Sequence, residues 1–150
     1  MLDLYEELRS VTSALETAGI PYALVGGLAV SIYATPRATQ DIDLLLSAAD
    51  LQKVAAALHP LGYEELSAPM VFAQGRLEIR RFTKLAGAQF LIIDVLLPHD
   101  AALADILARR QRVSATAPLW IAPLDGLIAL KRLRGSAQDL ADIVALGGQP

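Results

Sequence analysis

Residues 25–46 read Val25-Gly-Gly-Leu-Ala-Val-Ser-Ile-Tyr-Ala-Thr-Pro-Arg-Ala-Thr-Gln-Asp-Ile-Asp-Leu-Leu-Leu46. With Tyr22 to Val25 in front, the stretch opens on a short strand. Gly26 and Gly27 turn it into a helix over about 27–34. Thr35-Pro36 ends that helix, because proline disfavours a helical conformation in the residue before it. Asp41 to Leu46 is then a second strand that begins with two aspartates one residue apart. A strand, a glycine turn and a helix leave unpaired N–H groups at the helix start. Those donors and the positive end of the helix dipole attract phosphate. Gly-Gly also serves many strand–helix turns as plain geometry.

Asp41 and Asp43 point to the same face of a strand, with Cα atoms about 6.6 Å apart from the ~3.3 Å rise. Ile42 and Leu44 then face the core. Two carboxylates side by side repel unless a cation lies between them. Hard oxygen ligands favour Mg²⁺ or Mn²⁺ over zinc. The plainer alternatives are a strand-entry cap for Asp41 and a surface charge for Asp43.

A third acid, Asp94, lies inside Phe90-Leu-Ile-Ile-Asp-Val-Leu-Leu97. A carboxylate in so apolar a strand is paired, protonated or bound to a cation, because burying it bare is costly. Asp94 pairs with a core arginine, or it joins Asp41 and Asp43 in a cluster able to hold two metals about 3.5–4 Å apart.

Outward from this centre the chain reads as alternating elements. Residues 3–18 form an amphipathic helix with Leu4, Leu8, Val11 and Leu15 at helical spacing, and Gly19 suits its C-terminal cap. Ser47 with Asp50 has the form of a capping box before a helix that runs to about Leu58. Tyr63–Leu66, Met70–Ala73 and Leu77–Thr83 read as strands, with a turn at Gln74-Gly75. Phe90–Leu97 shows little polar alternation, so both its faces are covered. Helices follow at about 100–110, 123–134 and 137–146, with Val113–Ile121 extended between the first two. Ser136 and Asp139 repeat the capping-box spacing. This order implies an α/β (α+β) fold, a small mixed sheet flanked by helices, and not a doubly wound dinucleotide fold.

The 150 residues suggest one domain. There are no cysteines, hence no disulfide and no thiolate metal site. Apolar residues make up 54%, but their runs stay well under the ~18 residues of a membrane span. The N-terminus is acidic, unlike a signal peptide. The expectation is a cytoplasmic protein with no membrane partner. Thirteen Lys and Arg against sixteen Asp and Glu give a formal charge of −3, which excludes a generic nucleic-acid coat. Three local basic clusters remain: Arg76, Arg80, Arg81 and Lys84; Arg109, Arg110 and Arg112; Lys131, Arg132 and Arg134.

Gly26-Gly27, Asp41-Ile42-Asp43 and a later strand aspartate together resemble the polymerase-β-like nucleotidyltransferase superfamily. The wording of residues 25–46 is similar to the minimal bacterial branch related to the AbiEii and MenT toxins. Leu127-Ile-Ala-Leu-Lys-Arg-Leu-Arg-Gly-Ser-Ala-Gln-Asp-Leu-Ala-Asp142 is similar to that branch's helical motif, a lysine followed by paired aspartates. The resemblance covers roughly residues 20–146. Serine is common as the second member of the glycine pair in that superfamily, where this chain has Gly27.

The resemblance implies that Gly26 and Gly27 contact the phosphates of an NTP, with Arg37 and Thr39 in a loop facing the nucleotide. It implies that Asp41, Asp43 and Asp94 ligate Mg²⁺ or Mn²⁺, Asp94 also serving as base toward an acceptor hydroxyl. It implies that Lys131 reaches the triphosphate and that Asp142 or Asp139 orients it. The implied acceptor is RNA such as tRNA, or protein, in a toxin-like enzyme with a cognate antitoxin. Two other readings stand beside it. One is a non-catalytic nucleotide- or partner-binding module of the same fold. The other is small-molecule nucleotidyl transfer, as in aminoglycoside-modifying relatives, which usually carry an added substrate domain. Tyr33, Trp120, His59 and His99 read as structural.

Overall fold

The computed structural model describes residues 2–113 and 118–150. Helix α1 (Leu4–Thr17) starts where the Asp3 side chain accepts from the Glu6 amide. It ends at Gly19, φ +69°, with the Ile20 amide reaching back to the Leu15 carbonyl, the wrap that a left-handed glycine allows. Strand β1 (Tyr22–Val25) leads directly into α2 (Gly26–Tyr33), and β2 (Asp41–Leu46) follows the loop. The Ser47 capping box expected from sequence does not form. Ser47 makes no side-chain cap; a 3₁₀ turn at Ala48–Asp50 closes through its carbonyl instead, and α3 (Leu51–Leu58) starts after it.

Strands β3 (Tyr63–Glu65), β4 (Met70–Phe72), β5 (Leu77–Ala86) and β6 (Gln89–Pro98) come next. The β5–β6 hairpin is longer than expected, because pairing continues out to Ala86 opposite Gln89. Helix α4 (Ala101–Ala108) precedes β7 (Gln111–Val113) and β8 (Leu119–Ile121), which pair antiparallel. The expected extended stretch 113–121 is thus two strands at its described ends; residues 114–117 lie outside the described residues. Helices α5 (Leu124–Arg134) and α6 (Ala137–Ala145) complete the chain. The capping box of Ser136 and Asp139 forms in full at the start of α6.

The strands make one mixed sheet in the order β3-β5-β6-β2-β1-β8-β7, with β4 beside β5. β2 runs parallel to β6 and antiparallel to β1. The central strands are buried on both faces: Ile42, Leu44, Leu45 and Leu46 on β2, and Ile93, Val95, Leu96 and Leu97 on β6. Side chains of this kind contribute about 1.5–3 kcal/mol each when buried, so these two strands carry a large share of the core's stabilisation. α5 covers the face that carries Val25, Asp43 and Leu96, since these line one small cavity with Leu127, Leu130 and Lys131. Among the described residues no helix is long and apolar enough to cross a membrane.

Candidate active site

The register of the sheet gathers the acids. Val25 pairs with Asp43 across β1–β2, and Asp43 pairs with Asp94 across β2–β6. Asp41 and Asp43 therefore share a face with Asp94, one strand spacing (about 4.8 Å) away. Asp41 and Asp43 are partly exposed, whereas Asp94 is buried.

Gly26 locks the turn onto this row. Its φ is +69°, and a Cβ placed there would stand 1.9 Å from Asp43 Oδ2 and 2.6 Å from its Cγ. No side chain fits. The backbone at the start of α2 lies directly against the Asp43 carboxylate. A Cβ on Gly27 would meet Thr39 Oγ1 at 2.9 Å and Arg37 Nη2 at 3.0 Å. The loop before β2 thus folds back over the helix start. Gly26, Gly27, Arg37 and Thr39, four positions expected at the nucleotide, come together.

The two partly exposed acids on β2 are under-compensated by positive charge. Burial first, then the charge of Asp94, raises the Asp41 carboxyl, with Arg81 and Arg134 opposing. The same two causes push Asp43 up to about 7. Among the described residues neither accepts a hydrogen bond from a side chain. Two hard oxygen donors of this kind, pressed against a backbone notch that a Cβ would fill, fit a divalent ion such as Mg²⁺ or Mn²⁺.

Asp94 is engaged differently. Arg81 Nε donates to its Oδ1 at 2.8 Å, and Nη2 donates to Oδ2 at 3.0 Å. The cross-strand register sets Arg81 directly opposite Asp94. Both alternatives open from the sequence are thus partly realised: Asp94 stands beside Asp43 and is also paired with an arginine. Among the described residues no three acidic, histidine or cysteine side chains are placed to hold an ion jointly.

Lys131 is buried beside the notch, and its Nζ lies 2.8 Å from Asp142 Oδ2 and 3.2 Å from Asp139 Oδ1. Arg37 Nη2 donates to Asp142 Oδ2 at 2.9 Å, and Gln138 donates to Oδ1 at 2.8 Å. Burial opposes ionisation of Asp139 and Asp142, but the donors around them outweigh it and hold both below the usual carboxylate range. This network ties α5 and α6 to the loop of Arg37 and fixes the lysine next to the glycine turn.

In the sequence Arg81 and Arg134 stand only in local basic clusters. Arg134 lines the cavity beside Asp43, and its charge opposes the upward shift of Asp43. Arg132, two residues earlier, bonds to the Gln149 carbonyl instead. Helical spacing was the available signal, since Arg134 lies three residues beyond Lys131 on the same face. The other residues singled out in the sequence make these contacts: Tyr33 donates to the Ala122 carbonyl, and Trp120 carries Arg110 4.3 Å from its ring centre. His59 and His99 pair with Glu64 and Glu78. A hollow of about 360 Å³ opens beside Asp41, lined by Leu2, Leu4, Thr39, Gln89 and Phe90 among others.

A mixed sheet whose glycine turn abuts a strand acid in this way has the architecture of a nucleotidyltransferase. The crystal structure of ANT(2'')-Ia in complex with adenylyl-2''-tobramycin superposes with a TM-score of 0.60 at 14% identity, over 94% of this chain and 86% of that one. The lincomycin-bound lincosamide antibiotic adenylyltransferase LnuA gives 0.57 at 16% identity, over 95% of both chains. TM1012 of Thermotoga maritima gives 0.60 at 11%, over 93% and 91%. Identities this low speak for the fold. The chain itself belongs to the aminoglycoside-2''-adenylyltransferase family, whose model matches residues 7–81, and it is a nucleotidyltransferase. No curated protein matches it. The family match runs from α1 to Arg81 and so includes the glycine pair and the first two acids.

Proposed function

We propose that this protein transfers a nucleoside monophosphate from an NTP to a hydroxyl group of a small molecule, using a divalent ion at Asp41 and Asp43. The observation that carries the reading is the 1.9 Å approach between the Gly26 Cβ position and Asp43 Oδ2. It sets a helix N-terminus, which attracts phosphate, directly against a carboxylate lacking a partner among the described residues. The family and the antibiotic-modifying fold relatives favour a small-molecule acceptor over the tRNA or protein acceptor of the toxin-like branch. A cognate antitoxin has no separate support.

In this reading the backbone N–H groups of Gly26 and Gly27 receive the phosphates. Thr39 and Arg37 close the cradle from the loop side. Lys131, held by Asp139 and Asp142, supplies a fixed positive charge behind it, with Arg134 at the rim. The acceptor oxygen bonds to the α-phosphorus while the bond to the pyrophosphate oxygen breaks. The hydroxyl proton leaves toward the acidic row, where Asp94 lies, and pyrophosphate departs with its electron pair. A divalent ion, when bound, neutralises the phosphate charge and polarises the reacting oxygens. The hollow beside Asp41 falls within the roughly 300–1,000 Å³ of small-ligand sites and gives reactants room next to the acids.

The test is incubation with labelled NTPs and Mg²⁺ or Mn²⁺, offered separately with an aminoglycoside and lincosamide panel, total tRNA and cell lysate. Label on a small molecule supports the reading. Label on tRNA alone restores the toxin-like one. No transfer to any acceptor, with NTP still bound, leaves the binding module.

A further inference from the structure

One face of the sheet carries a row of three charged side chains on three adjacent strands: Asp43 on β2, Asp94 on β6 and Arg81 on β5. The two ends of the row treat the middle residue unequally. Toward Asp43 it faces a like charge and makes no ion pair. Toward Arg81 there is a two-pronged bond that uses both carboxylate oxygens, at 2.8 and 3.0 Å. The Asp94 side chain is 4% exposed and that of Arg81 is 34% exposed, so the pair is anchored from within and the guanidinium borders the site.

A two-ion centre needs a third acid free to share with the first pair, at an ion spacing of about 3.5–4 Å. Here that acid is already committed. Two parallel charge-assisted bonds make the arginine–carboxylate fork one of the stronger side-chain contacts, and a guanidinium does not give up its charge. A second dication seated on Asp94 would stand against that fixed positive charge. Consistent with this, no three ligand-type side chains converge among the described residues.

We propose, resting on the nucleotidyl-transfer reading, that Arg81 takes the place of a second metal ion, so that the site binds one divalent ion and carries its other cation as a side chain. Asp41 and Asp43 hold the ion. Asp94 and Arg81 form a fixed pair on its flank, and Arg81 acts as a positioning residue that sets the direction of the Asp94 carboxylate. Whether the flanking cation is built in or recruited decides how activity depends on metal concentration: one binding event instead of two.

The experiment counts Mn²⁺ bound per chain by electron paramagnetic resonance, with a non-hydrolysable NTP analogue present, in the wild type, Arg81→Lys and Arg81→Met. Circular dichroism checks the fold of each. One ion in the wild type, one in Arg81→Lys, where a charge remains, and two in Arg81→Met is the expected pattern. Two ions in the wild type, or one in a folded Arg81→Met, overturns the inference and leaves nucleotidyl transfer standing. No Mn²⁺ bound by the wild type overturns the transfer reading itself, and the inference with it. If Arg81→Met does not fold, the wild-type count decides alone.

Discussion

Two pairs of aspartates meet near the start of α2, and their surroundings push them in opposite directions. Asp41 and Asp43, on β2, are raised, Asp43 to about 7. Asp139 and Asp142, on α6, are lowered. Desolvation acts on all four; what differs is the company. The α6 pair has Lys131, Arg37, Gln138 and the Ser136 hydroxyl as donors. The β2 pair has Asp94 as a close neighbour and only the more distant charges of Arg81, Arg134 and Lys131 to offset it. Equal residue types around one glycine turn thus serve two ends. One pair is satisfied from within and braces the C-terminal helices. The other is left short of positive charge, which suits it to a cation from outside.

The contrast is easiest to break at Asp43. Asp43→Asn should lower nucleotidyl transfer by more than about 100-fold, since outer-shell partners of a metal site alone cost 10–100-fold. Because the change also removes repulsion from Asp94, the metal-free variant should unfold at a higher temperature than the wild type. A drop in both would mean that Asp43 is a structural residue. Lys131→Met strikes the opposite pair. It strands two buried carboxylates, and with Arg37 and Gln138 still in place the expected loss is about 3 kcal/mol, read by urea denaturation.

A smaller effect sharpens the comparison through pH. Asp43 has a folded value raised above its unfolded 3.8, so in the metal-free protein its contribution is full below pH 3.8 and is lost as pH rises through about 7. Asp139 and Asp142 have the reverse sign. Their contribution is present above the unfolded value and is lost as pH falls through their lowered folded values. Mn²⁺ displaces the Asp43 proton, so its affinity should climb roughly tenfold per pH unit up to about 7 and then level off. Isothermal titration at several pH values checks the slope. Asp139→Ala should cost the least, about 1–2 kcal/mol, because it removes the return bond to the Ser136 amide and one of two carboxylates beside Lys131 while the Ser136 cap stays, seen in thermal unfolding.

Much of this was legible in the residues. Glycine and proline punctuation set the limits of β1 and α2, and apolar runs of three or four residues beside single aspartates marked β2 and β6, because a strand covered on both faces shows little polar alternation. Ser136 and Asp139 signalled a cap that forms. Ser47 and Asp50 carried the same spacing without forming one, since there the chain closes a 3₁₀ turn through a backbone carbonyl. Pairings between distant strands were not legible. Arg81 lies thirteen residues from Asp94, and only the hairpin register brings the two opposite each other. Arg80, next to Arg81, turns to Glu65 and Glu78 instead. The bond from Arg37 to Asp142 spans 105 residues, and no local pattern announces it. The acids could be named from sequence, but which cation each one keeps is a property of the folded sheet.

The central claim is that Asp41 and Asp43 jointly hold a divalent ion, and ion-dependent thermal stabilisation tests it most directly. With Mn²⁺ at about 100 times its dissociation constant, the wild type should gain about 2.7 kcal/mol of stability from the ion, and Asp41→Asn/Asp43→Asn should gain almost none. A double variant that keeps the full Mn²⁺-dependent shift would contradict the account.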